Sequence, residues 1–190
     1  MTTKVIVASG LAALYAATGI IGSIIQATFG IPGVAGVAMV IFGPFMVVFS
    51  LNFFSRFGGT LIMCVVYSII VLPFHVIGTP GFFPKIGIAL VGGLIAELLF
   101  LLPLRRFRLW NAIVGGAYEI VIGYLIVGLG LWFKFPEIEK LASIALKWWA
   151  IVPSFLVSGF FGYLGYRMYQ RIKDQPIIKL ARERMYGVKE

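Results

Sequence analysis

Apolar residues gather in six long runs, near Val5–Phe29, Ala35–Phe54, Phe57–Gly78, Pro84–Pro103, Asn111–Phe133 and Trp148–Tyr169. The stretches between them are short and polar or rich in Gly and Pro. About 20 consecutive apolar residues carry a helix across ~30 Å of hydrocarbon, and five runs reach that length without interruption. The second is broken by Gly43-Pro44 and is the weakest span. The pattern predicts an all-α polytopic membrane protein, a bundle of six transmembrane helices over residues 1–173, followed by a short basic tail over residues 174–190. Gly30-Ile31-Pro32-Gly33 and Gly78-Thr79-Pro80-Gly81 supply turns on one side, and Asn52 to Arg56 and Leu104 to Leu109 supply them on the other. In the longest connection, Lys134 to Lys147, Ile138, Leu141 and Ile144 recur at helical spacing. Asp174-Gln175-Pro176 reads as a helix start, leading a short amphipathic stretch to Tyr186.

With 61% hydrophobic and 12% charged residues among 190, and a mean hydropathy of +1.02, no soluble class fits. The net charge of +9 would suit nucleic acid, but its placement follows membrane topology instead. Lys4, Arg56, Arg105, Arg106, Arg108 and the tail fall on one side. The connections on the other carry only Lys85, Lys134, Lys140 and Lys147, with Glu137 and Glu139 nearby. By the positive-inside rule both termini are cytoplasmic, and the expected location is the cell membrane. The first run is longer than a signal-peptide core and five further runs follow it, so it is expected to remain as a span. Trp110 at an inner boundary and Trp132, Trp148 and Trp149 at outer ones match aromatic belts.

Few groups within these spans can do chemistry. Glu119 lies near the middle of the fifth run, on one helical face with Ala112, Gly116, Gly123 and Gly130. Lipid does not tolerate a charge, so this face looks into the bundle or a cavity, and Glu119 is a candidate substrate ligand. Glu97 in the fourth run shares a face with Gly93 and has two readings, a pathway residue or a hydrogen-bonded structural acid. His75, the single histidine, lies near Phe74, Phe82 and Phe83 at the outer end of the third run. His75 and Phe82, with Trp132, Trp148 and Trp149, are candidates for the wall of an outward-facing pocket; the tryptophans read first as belt residues. In the first run Ala8, Ala12 and Ala16 repeat every four residues, beside a row of Ser9, Ala13 and Ala17. Such ladders let backbones approach closely, either within the chain's own bundle or against a separate membrane subunit.

Other chemistries find no residues to carry them. One His and one Cys, Cys64, do not make a usual metal site. There is no Gly-rich phosphate loop ending in Lys-Ser/Thr and no G-x-S-x-G elbow. Asp174 is the sole aspartate. The expectation is a protein with no catalytic residues and no cofactor.

The chain resembles the substrate-binding component of energy-coupling factor transporters over nearly its whole length. The likeness rests on six spans in about 190 residues and on the first helix, Lys4-Val-Ile-Val-Ala8-Ser-Gly-Leu-Ala12-Ala-Leu-Tyr-Ala16. It rests also on a last helix with Val152-Pro153, Ser158-Gly159 and Gly162-Tyr163-Leu-Gly165-Tyr166-Arg167. The resemblance implies a small vitamin-like substrate held near the outer side by later helices and loops. It implies partners as well, a transmembrane coupling subunit meeting the ladder of Ala8, Ala12 and Ala16, and ATPase subunits beyond it. Gly43-Pro44 and Gly58-Gly59 depart from the pattern, and Met1-Thr2-Thr3-Lys4 lacks the histidine of nickel and cobalt members. A charged Glu119 would favour an amine-bearing substrate such as thiamine or its pyrimidine precursor. Two other readings stand beside this one, a self-sufficient transporter with a proton or cation path over Glu97 and Glu119, and a membrane assembly protein.

Overall fold

In hydrocarbon a backbone must satisfy its own polar groups, and a helix does so within one segment. The computed structural model describes residues 2–30, 34–74, 76, 80–134, 139, 142–143 and 147–187, and helices form the bulk of them. The helices are α1 (Thr2–Phe29), α2 (Val34–Phe54), α3 (Gly59–Ile70), α4 (Pro84–Leu101), α5 (Trp110–Trp132), α6 (Trp148–Ile172) and α7 (Pro176–Tyr186), with a 3-10 turn at Pro103–Arg106. No strand occurs among the described residues. Five helices, α1, α2, α4, α5 and α6, are long and apolar enough to cross a membrane.

The weak point of the sequence pattern turns out to be continuous. α2 runs through Gly43-Pro44 without a break. Proline has no N–H for the carbonyl four residues back, which here belongs to Val40. Ser158 of α6 donates its hydroxyl to that carbonyl at 3.3 Å. Gly43 makes room for α1, since a Cβ there would sit 2.8 Å from Tyr15 Oη.

The third run, by contrast, is helical for only 12 residues, ~18 Å of rise. Residues 71–74 then turn. The cause lies on α4. Lys85, expected in an outer connection, is fully buried in the first turn of that helix. Its Nζ donates to the carbonyls of Phe74 at 2.7 Å, Val71 at 3.4 Å and Leu72 at 3.5 Å. Carbonyls that leave the helical ladder thus find a donor.

Twelve positions further along the same helix, ~18 Å away, Glu97 meets the opposite end of α3. Its carboxylate accepts the Gly58 N–H at 2.6 Å and the Leu61 N–H at 2.9 Å. Gly58 takes φ 91°, a left-handed conformation that glycine adopts without strain. An anion at the N-terminus and a cation at the C-terminus both complement the dipole of α3. Antiparallel α4 brackets α3 with one charge at each end.

Close packing of α6 on α2 and α5 forms the most extensive interfaces. The buried face of α6 carries Ser158, Gly159, Gly162, Gly165 and Tyr169. A Cβ on Gly162 would lie 3.0 Å from the Cα of Gly115, and one on Gly165 would overlap the carbonyl oxygen of Phe45. Small residues let these backbones touch.

On α1 the buried face is Ala8, Ala12, Tyr15, Ala16 and Gly19. Ala8 and Ala12 are 0% and Ala16 1% exposed, covered by the chain itself, and Tyr15 stacks on Tyr67 of α3 with centroids 3.9 Å apart. Packing within the bundle therefore accounts for the ladder expected to meet a coupling subunit. Small residues exposed on the surface of α1 include Gly10, Ala13 and Ala17.

One end of the bundle gathers the cations. Lys4 donates to the Phe57 carbonyl at 2.7 Å, joining the start of α1 to the α2–α3 link. α7 folds back onto the same end, as the Asp174-Gln175-Pro176 start predicts, and Gly187 closes it at φ 67°. Ile178, Ala181 and Met185 pack against the core, Tyr186 donates its hydroxyl to the Phe54 carbonyl, and Arg56 lies 4.5 Å over the Tyr186 ring. Burial is the main cause that raises the Tyr186 pKa above the ordinary phenol range. The tail is a helix docked on the bundle.

Candidate functional site

α5 and α6 touch along glycines toward the basic end and part beyond them. Gly115 and Gly116 admit α6 so closely that side chains there would meet Gly162 and Phe155. At Gly123, two turns on, a Cβ would meet nothing within 4 Å. Past Gly116 the helices border a groove of about 300 Å³, lined by Glu119, Ile120, Gly123, Tyr124 and Val127 of α5 and by Ala150, Ile151 and Ser154 of α6. That volume is at the lower end for small-molecule sites. Glu119 stands nine positions past Trp110, ~13 Å into α5, and the groove extends ~12 Å farther, to Val127, away from the basic end.

Glu119 is partly buried, and no hydrogen bond or ion pair to another described residue is found for it. Tyr124 and Ser154 bring the other polar groups to an otherwise apolar lining. The arrangement suits a ligand with a cationic or hydrogen-bond-donating group on a compact apolar body. No cluster of three or more His, Cys, Asp or Glu that could hold a metal ion exists among the described residues.

Glu97 does not join Glu119. It is 3% exposed, faces α3 and has each carboxylate oxygen on a backbone N–H, which is the structural reading of this residue. The aromatic wall expected for an outward pocket does not assemble around the groove. Trp132, Trp148 and Trp149 are 82%, 76% and 50% exposed and line none of it, because they stand at helix ends on outward faces, as belt residues do. Phe82 packs edge-on against Phe133, with centroids 5.4 Å apart. His75 lies outside the described residues, as do Ile31-Pro32-Gly33, Gly78-Thr79 and most of the Lys134 to Lys147 connection, including Ile138, Leu141 and Ile144.

Sequence reasoning missed Ser154 and Tyr124. A signal was present, since Ser154 and Ser158 are hydroxyls four residues apart in an otherwise apolar span, but the period does not say which one faces a gap. No protein-family model, curated protein or solved structure matches the chain.

Proposed function

We propose that this protein is the membrane-embedded substrate-binding subunit of an energy-coupling factor type importer, and that Glu119 holds the amine or cationic group of its nutrient in the groove between α5 and α6. The observation that carries the reading is a carboxyl group near mid-span in a lined groove, with no hydrogen bond or ion pair to it among the described residues. A carboxylate at that depth is costly unless something partners it, and a bound cation does so. Thiamine offers a cation and an aromatic amine for this role, and its pyrimidine precursor offers the amine alone. The whole-chain resemblance supports the same reading, and with no phosphate loop in the sequence, energy for uptake comes from an ATP-driven partner. On α1 the exposed row of Gly10, Ala13 and Ala17 is the surface such a partner would meet. A relay between Glu97 and Glu119 gains no support, because Glu97 is committed to α3.

The test is mass spectrometry of small molecules retained by the detergent-purified protein, with binding of thiamine and its pyrimidine precursor measured alongside. Retention of a stoichiometric amine-bearing compound is expected. Glu119→Gln removes one charge-assisted hydrogen bond and should weaken its binding roughly ten- to a hundredfold. Gly123→Leu should abolish it by filling the groove. A ligand that survives both substitutions, or ion conduction by the protein alone in liposomes, would sink the proposal.

A further inference from the structure

At the basic end, α5 and α6 frame a second site that the nutrient groove does not explain. Two adjoining depressions of about 260 and 430 Å³ share Arg167 and Arg171. Arg108, just ahead of α5, closes the first with Tyr166 and Gln170, and Leu164 and Met168 line the second. Three guanidinium groups therefore converge on a recess with one polar side and one apolar side. The only polar contact found for them among the described residues is Arg167 Nη1 to Tyr163 Oη at 3.4 Å. An ion pair lies elsewhere, between Lys179 and Asp174 at 3.9 Å. No carboxylate among the described residues is found paired with these three guanidinium groups.

Depth fixes what can compensate it. Arg167 and Arg171 come 19 and 23 positions after Trp148, ~28 and ~34 Å along α6, at the edge of a hydrocarbon layer ~30 Å thick. Toward the membrane from the arginines, the same side of α6 exposes Phe160, at 57%, and Leu164 lines the second depression. A soluble anion has no use for that apolar surface, whereas a phospholipid has a phosphate for the guanidinium forks and a chain for the wall. Basic recesses between spanning helices at this level suit anionic headgroups. We propose that the recess of Arg108, Arg167 and Arg171 binds the phosphate of an anionic membrane phospholipid, with Leu164 and Met168 against its acyl chain.

Native mass spectrometry of the full-length protein in detergent tests this, with dioleoylphosphatidylglycerol, dioleoylphosphatidylcholine and inorganic phosphate as separate probes. Phosphatidylglycerol should bind one molecule per chain, well above phosphatidylcholine. Arg167→Gln with Arg171→Gln should weaken it roughly 25-fold, about fivefold per arginine. Arg108→Gln, outside every span, should cost about fivefold alone and carries the test if the double variant does not fold. Lys173→Gln with Lys179→Gln should leave the affinity within about twofold, because these lysines lie outside the recess. Equal loss in that lysine pair would mean diffuse attraction to charge and would overturn the proposal. So would equal binding of phosphatidylcholine, or inorganic phosphate displacing the lipid at matched concentration.

Discussion

Two glutamates sit inside the spans of this protein, and their surroundings are opposite. Glu97 is buried with both oxygens on backbone N–H groups of the α2–α3 link and α3. Glu119 borders a groove and meets no hydrogen-bonding group among the described residues. In sequence the two look alike, each an acid in an apolar helix beside a glycine face. The difference teaches that intramembrane position alone does not mark a functional acid. What marks it is whether the fold already supplies the partners that hydrocarbon withholds.

The sharpest way to break this comparison is to remove each carboxylate and read thermal stability in detergent. Glu97→Ala leaves two buried N–H groups without acceptors and should destabilise the protein by about 3 kcal/mol, since hydrogen bonds to charged groups contribute ~1.5–3 kcal/mol each. Glu97→Gln retains one acceptor oxygen and should fall between that variant and the parent. Glu119→Gln removes a charge the fold does not partner, so ligand-free stability should hold or rise by less than about 1 kcal/mol. Equal losses at the two sites would mean that Glu119 also serves the fold, and the distinction would fail.

Lys85 extends the test to the other end of α3. Lys85→Met keeps the length of the stem but strips the Phe74 carbonyl of its donor, while the Val71 and Leu72 carbonyls keep the N–H groups of Phe74 and Gly81, at an expected cost of about 2 kcal/mol. The two ends of the bracket lie ~18 Å apart on α4 and share no partner. Losses from Glu97→Ala and Lys85→Met should therefore add to within about 0.5 kcal/mol. A large deviation from additivity would show that α3 responds as one unit to both charges.

Hydropathy made the spans legible, because in hydrocarbon long apolar runs have few alternatives to helix. The Asp174-Gln175-Pro176 start and the amphipathic stretch after it made α7 legible. The bounds of α3 were not, because a lysine at the rim of a run snorkels to water as readily as it turns inward, and only the position of the Phe74 carbonyl decides. Ala8, Ala12 and Ala16 illustrate the same ambiguity, since spacing shows that a backbone can come close without saying whose. Glu119 was found from its depth and face. Its neighbour across the groove, Ser154, depended on where α5 and α6 separate, which Gly116 and Gly123 decide through what stands opposite them. Trp132, Trp148 and Trp149 had two readings, belt and pocket wall, and their exposure at helix ends fits the belt.

The smallest effect concerns the proline that seemed to break α2. Ser158→Ala should cost about 1 kcal/mol, because it leaves the Val40 carbonyl without the donor that Pro44 cannot provide. In a chain that already carries Pro44→Ala, the new N–H can serve Val40 from within α2, and Ser158→Ala should then cost little. The double-mutant cycle should give a coupling near 0.5–1 kcal/mol, read from unfolding in detergent. Equal cost of Ser158→Ala in both backgrounds would assign the serine to ordinary packing at the Gly115–Gly162 crossing. Coupling of the expected size would place Ser158 with Glu97 and Lys85, as a polar group that a neighbouring helix lends to backbone left unserved by its own segment. Glu119 would then remain the intramembrane acid without such a backbone client.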